Sequence, residues 1–247
     1  GGETTANAIP VEVIDDSSSP SPVAPSSCSQ SGTALNSVDA FDANGVLGVS
    51  TLNQDCGSGC EPGGTTSDVY YTCTAAGACQ STTQAAADQV ANPVASFPID
   101  NNGVILQLPQ ISAAGAATAS GYLVFGIGTQ SNNSLGSAKV LTADANGFFI
   151  TTFQQKALDD SFIDSGSNGL YFPNTASPIT LCGDAGTDAA DFYCPSATVN
   201  LTATNQGQNG TTSSVSFQIA NLKSISNSNF ALDDVGGTAW WAGGTAS

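Results

Sequence analysis

Short apolar runs recur along the chain, each bounded by Asn, Asp, Gly or Ser. GVILQLP (103–109), GYLVFGIG (121–128), KVLTA (139–143), GFFITTF (147–153), SFIDSG (161–166) and GLYF (169–172) are of strand length. ATVNLTATN (197–205), SSVSFQIAN (213–221) and ALDDV (231–235) continue the series. NNG, ADANG, GDAG and GQNG separate several of these runs, and such clusters mark turns between strands. β-Branched and aromatic enrichment at this spacing predicts an all-β or mostly β chain. Upstream, AIPVEVI (8–14) alternates like a half-buried strand, and FDANGVLGV (41–49) reads as a turn followed by a short strand. A Ser/Pro-rich loop fills residues 16–37, and a Cys-rich loop runs from 54 to 82. QAAADQVANPV is the one short helical pattern, ending at Pro93. No internal repeat and no long linker is visible.

Composition narrows the functional classes. The 247 residues include three lysines, no arginine and no histidine, and the net charge is −17. Nothing here neutralises phosphates, so nucleic acid is excluded as a partner. Without histidine, the Ser/His/Asp and Cys/His nucleophile systems are ruled out. No apolar run reaches the length of a membrane-spanning helix. An acidic surface with almost no basic groups fits a secreted, extracellular, cell-surface or periplasmic protein. The sequence opens on Gly1 and contains no Met, which implies processing or a partial chain.

Seven cysteines are present: Cys28, Cys56, Cys60, Cys73, Cys79, Cys182 and Cys194. Four of them crowd the 54–82 loop. A four-thiolate zinc site suits the Cys56/Cys60 spacing but not the Cys73/Cys79 spacing. In a secreted chain disulfides are the better reading, so no metal or other cofactor is expected. We pair Cys56 with Cys60, Cys73 with Cys79 and Cys182 with Cys194, although spacing leaves other connectivities open. Cys28 is left over, which points to a partner outside these residues.

The sharpest chemical motif is SFIDSGSNGLYF (161–172). An apolar strand delivers the Asp164 carboxylate to the end of a sheet. Ser165, Gly166 and Ser167 follow, offering hydroxyls and a backbone that can be approached closely. Leu170, Tyr171 and Phe172 then bury the way out. The plain alternative is a turn in which Asp164 caps backbone N–H groups. Asp159-Asp160 and Asp233-Asp234 read as solvated acidic turns, since no calcium-loop pattern accompanies them.

Apolar-apolar-Asp-Ser-Gly-Ser resembles the active-site loop of pepsin-like aspartic proteases. FDANGVLG (41–48) resembles that family's strand beside the first catalytic loop, which gives Val46, Leu47 and Gly48 a structural place near the site. GYLVFGIGTQ (121–130) resembles the strand that opens the second lobe, and GFFITTF the strand before the second catalytic loop. More closely, ANGVLGV, DCGSGC, YYTC, DNNGVILQLP, FGIGTQSNN and FIDSGSNGLYF resemble a bacterial family of secreted proteins of unknown function with this pepsin-like layout. That similarity spans nearly the whole chain.

The resemblance implies a pepsin-like bilobal β-barrel, truncated at both ends. Residues 1–95 would complete the first lobe, and 96–247 would form the second, carrying the Asp164 loop. Two carboxylates sharing a proton would activate water for peptide-bond hydrolysis, with the peptide extended in the cleft between lobes. Asp164 would be one of them, with Ser165 and Gly166 beside it. The other lies outside these residues, in a missing N-terminal segment or a second protein chain, so the isolated chain is expected to be inactive. Ser167-Asn168-Gly169 departs from the usual tail of the family's loop. Trp240 and Trp241 are expected in the core, next to where an apolar-apolar-Gly strand would follow. The rival expectation is a non-catalytic secreted or surface β protein, either a binding module or a self-assembling homo-oligomeric subunit on the same fold.

Overall fold

The computed structural model describes residues 2–14, 27, 35, 37–67, 69–74, 78–167, 169–174, 178–183, 189–239 and 245–246. The chain is mostly β. Its strands form several small sheets, and among the described residues no sheet closes into a barrel. Two compact units are present, Gly1–Ile105 with Val124–Ser134, and Leu106–Leu123 with Leu135–Ser247.

In the first unit, a single helical turn, α1 (Val38–Phe41), is capped by the Ser37 hydroxyl, which accepts from the Ala40 N–H at 3.1 Å. Strands β1 (Tyr70–Cys73) and β2 (Cys79–Thr82) pair antiparallel within the Cys-rich loop. Cys73 and Cys79 stand opposite one another in that register and are bridged by a disulfide. A second disulfide joins Cys56 to Cys60 around a 3-10 turn. The Tyr70 hydroxyl fixes the ribbon to its surroundings. It donates to Asp55 at 2.6 Å and accepts from the Val90 N–H at 2.9 Å. Burial first, and the Asp55 carboxylate second, push this phenol up to about 12.

AIPVEVI and the VLGV run form no strand. Val11, Val13, Val46 and Leu47 are all exposed, and no described strand pairs with them. Alternation alone cannot make a strand without a partner ladder and a face to bury. A ribbon of β3 (Val104–Gln107) and β4 (Tyr122–Phe125) follows. Its residues are divided between the two units.

The second unit is built on a five-stranded sheet. β5 (Phe149–Phe153), β6 (Lys156–Ile163), β8 (Val199–Gln206) and β9 (Thr212–Ile219) are antiparallel neighbours. β7 (Leu170–Phe172) pairs with β10 (Gly236–Thr238), and β11 (Thr245–Ala246) joins the large sheet, whose order is β11-β6-β5-β8-β9. The core gathers Phe153, Leu158, Phe172, Ile179, Tyr193, Ala203 and Ile219, with Leu170, Leu201 and Phe217 against them. β8 and β9 show why the pattern works. Leu201, Ala203, Phe217 and Ile219 lie on one face, while Asn200, Thr202, Ser216 and Gln218 alternate onto the other. The Cys182–Cys194 disulfide closes a 12-residue loop beside this core.

Two runs of this unit depart from the sequence reading. KVLTA is not a strand. It is held by side chains, the Asn209 amide donating to the Val140 carbonyl at 2.9 Å and the Thr142 hydroxyl accepting from the Asn209 N–H. ALDDV forms no strand, and Ala231 makes an isolated bridge to Ala116.

Candidate functional site

β6 delivers Asp164, and it does so through a bulge. Phe149 pairs with Ser161 and Thr151 with Leu158, so β6 carries one residue more than β5 between those pairs. The extra residue falls at Asp159-Asp160. Leu158 and Ser161 are both buried, three positions apart, and the Ser161 hydroxyl donates to the Leu158 carbonyl at 3.1 Å. Period-2 alternation from Leu158 would have turned the Asp160 carboxylate inward. The bulge shifts the phase and leaves Asp159 and Asp160 exposed. The acidic pair is therefore part of a strand irregularity and not a free turn.

Beyond Ile163 the chain turns on Asp164. Its carbonyl accepts from the Ser167 N–H at 3.1 Å, and its carboxylate Oδ1 accepts from the Gly166 N–H at 3.2 Å. Asp164, Ser165 and Gly166 are exposed, and Ser167 is half-buried. Gly166 does not have a left-handed backbone, and a Cβ built there would meet only Asp164 Oδ1 at an ordinary 3.6 Å. Nothing described in the chain itself demands glycine at this position. Asn168, Trp240, Trp241 and Cys28 lie outside the described residues.

Leaving the turn, Gly169 passes close to Val235, whose carbonyl is 3.1 Å from where a Cβ would stand. The Leu170 N–H donates to that same carbonyl at 2.9 Å. β10 then runs parallel to β7, pairing Gly236 with Leu170, Gly237 with Tyr171 and Thr238 with Phe172. β11 runs parallel to β6, pairing Thr245 with Phe162 and Ala246 with Ile163. Gly236–Thr238 thus lies alongside the arm that leaves the Asp164 turn, and Thr245–Ala246 alongside the arm that enters it.

Phe192 and Tyr193 brace this frame. The Tyr193 N–H donates to the Gly236 carbonyl at 2.9 Å. The rings of Tyr171 and Phe192 stand 5.8 Å apart, edge to face. Burial raises the Tyr171 phenol, and the negative charge of Asp164 adds to that rise, which places the phenol in the field of the carboxylate. Sequence reasoning named neither aromatic of the 192–193 pair nor the short strands Gly236–Thr238 and Thr245–Ala246. Their only trace is the Gly236-Gly237 pair, glycines that sit in a strand.

The remaining sequence candidates are distributed as follows. Val46, Leu47 and Gly48 belong to the first unit and Asp164 to the second. Asp234 is buried, and burial followed by the charge of Asp233 raises its carboxyl above the usual range. No described hydrogen bond joins Asp164 to a second acidic side chain. Among the described residues no three His, Cys, Asp or Glu side chains cluster as a metal site. Recesses of about 440 and 550 Å³ lie at Val38–Asn44 and at Pro178–Val199, and neither is lined by Asp164. No helix among the described residues is long and apolar enough to cross a membrane.

A family model described as protein of unknown function (DUF3443) matches residues 1–242. No curated protein and no solved structure matches the chain.

Proposed function

The chain belongs to the DUF3443 family of proteins of unknown function, and from that premise we propose that it carries half of an aspartic-peptidase site on a secreted, pepsin-like two-lobed scaffold. The observation that carries this reading is the parallel pairing of Gly236–Thr238 and Thr245–Ala246 with the two arms of the Asp164 turn. Pepsin-like proteases flank a catalytic aspartate loop with neighbouring strands, and parallel strands beside both arms of the Asp164 turn are compatible with such a layout. Gly166 adds support, because the local fold leaves room there for a side chain that the sequence does not use. A backbone without a side chain next to Asp164 suits close approach by another group.

In this reading Asp164 and a carboxylate from outside residues 1–247 share one proton, since two adjacent carboxylates do not both ionise. The ionised one takes a proton from water, and the water oxygen attacks the peptide carbonyl. The protonated one donates to the carbonyl oxygen. Collapse of the resulting tetrahedral species, with a proton passing to the leaving nitrogen, breaks the C–N bond. The substrate is an extended peptide.

The test is cleavage of an acid-denatured protein by the native protein from its own source, across about pH 3 to 7, the range over which carboxylates titrate. Cleavage with an acid optimum that Asp164→Asn abolishes is the expected result. Absence of cleavage at every pH, together with no binding of a pepstatin-like peptide, sinks the proposal.

The exposure of Asp164 favours a second reading: a non-catalytic binding module on the same scaffold. Peptide retained without being cut distinguishes it.

A further inference from the structure

The open edge of β9 carries an inference that holds for either reading of Asp164. β9 ends the sheet order β11-β6-β5-β8-β9 and runs eight residues in unbroken register with β8. In an antiparallel ladder alternate residues turn their N–H and C=O toward one neighbour and then the other. The Gly207 N–H donates to the Thr211 carbonyl, which sets the phase. Residues 213, 215, 217 and 219 therefore face β8, while Thr212, Ser214, Ser216 and Gln218 present their main-chain groups outward. The Lys139 ammonium confirms the direction by donating to the Thr212 carbonyl at 3.1 Å. Among the described residues nothing is bonded to the outward main chain of Ser214, Ser216 or Gln218.

Natural sheets guard such edges with charges, Pro, bulges or short strands. β9 has none of these between Thr212 and Ile219. Its neighbourhood in sequence is equally bare. Residues 192–232 contain no Asp or Glu and one Lys, in a chain of net charge −17. Two copies of so acidic a chain repel through most of their surface. An edge with no acidic residue of its own, and with the Lys139 ammonium at its Thr212 end, is where that repulsion is least.

We propose that β9 pairs antiparallel with β9 of a second copy, about a two-fold axis through Ser216. The register follows from the groups available. With Ser216 on the axis, Ser214 bonds the partner's Gln218, and Ser216 bonds its own counterpart. The intervening positions oppose Val215 to the partner's Phe217. Val215 is 43% exposed in the single chain, and a β-branched residue against an aromatic is a stabilising cross-strand pair. Shifting the axis by one residue toward the hairpin turn brings Thr212 into the bonded set, but Lys139 already holds its carbonyl. The two five-stranded sheets become one.

Sedimentation of the purified protein over a concentration series tests this. The expected result is a dimer of twice the 24.6 kDa chain mass. Ser216→Lys, on the solvent face, places two ammonium groups opposite one another and raises the dissociation constant at least about tenfold. Circular dichroism checks that this variant keeps its fold. Hydrogen exchange supplies a second readout: the Ser214, Ser216 and Gln218 amides gain protection with concentration in the wild type and not in the variant. A protein that stays monomeric throughout overturns the proposal. So does a dimer that Ser216→Lys leaves intact, or an edge that takes up an added extended peptide without dimerising. None of these outcomes decides the peptidase reading, which rests on cleavage.

Discussion

The Tyr193 hydroxyl donates to the Phe172 carbonyl at 2.8 Å, and the two rings lie 5.0 Å apart. This contact locks the strand that leaves the Asp164 turn to the segment closed by the Cys182–Cys194 disulfide. Tyr193 is fully buried, and burial holds its phenol up at about 12. Tyr193→Phe keeps the ring and loses the bond, so it should cost about 1 kcal/mol. Tyr193→Ala also empties the core and should cost about 3–5 kcal/mol. Urea unfolding measures both.

Gly236 is a position where backbone approach forbids a side chain. A Cβ there would stand 2.6 Å from Ile219 Cδ1 and 3.0 Å from the Leu170 carbonyl oxygen. Gly236→Ala should therefore destabilise by about 1–3 kcal/mol through overpacking. Gly45→Ala is the matched control, since nothing lies near its Cβ. Its midpoint should stay within about 0.5 kcal/mol of the parent.

Asp164→Asn separates the turn from the chemistry. An Asn Oδ1 still accepts from the Gly166 N–H, so the melting temperature should hardly move. Any hydrolysis by the native protein should fall by about 10²–10⁴-fold or more, as expected for loss of an acid–base group. Equal loss of stability and activity would mean that the residue is a turn former and nothing else.

Asp234 makes stability depend on acid. Its folded carboxyl is raised above 3.8, first by burial and then by Asp233. The native state holds that proton more tightly than the unfolded chain. The stabilisation is complete below 3.8 and is lost as pH rises through the raised value. Asp234→Asn removes the dependence. Calorimetry should show the variant gaining on the wild type as pH climbs from about 3 to 7.

The sequence made the large sheet readable where both faces had a reason to alternate, as in β8 and β9. It failed where strand-like residues lack a ladder, as at Val11, Val13 and Val46. The start of β6 was also missed. Its hairpin with β5 turns on Gln154 and Gln155, both left-handed at φ 48° and 66°. Such turns normally announce themselves with Asn-Gly or Asp-Gly. The position of Asp164 at the end of a strand was legible from SFIDSG. The bulge that aims it was not, because it depends on how β5 and β6 register. The parallel pairing of β10 with β7 and of β11 with β6 was hidden for a similar reason. It is a long-range pairing of short strands, and period-2 patterns say nothing about partners.

That pairing also sets an order of events. Thr245 pairs with Phe162, and Gly236 with Leu170, so the frame of Asp164 draws on residues made long after the turn itself. A chain that emerges from its N-terminus can complete the β5–β6 hairpin early, but the surroundings of Asp164 must wait for β10 and β11. Until those arrive, the carboxylate stands on an unsupported turn. If the site is hydrolytic, this delay keeps it idle until the strands that frame it have been made.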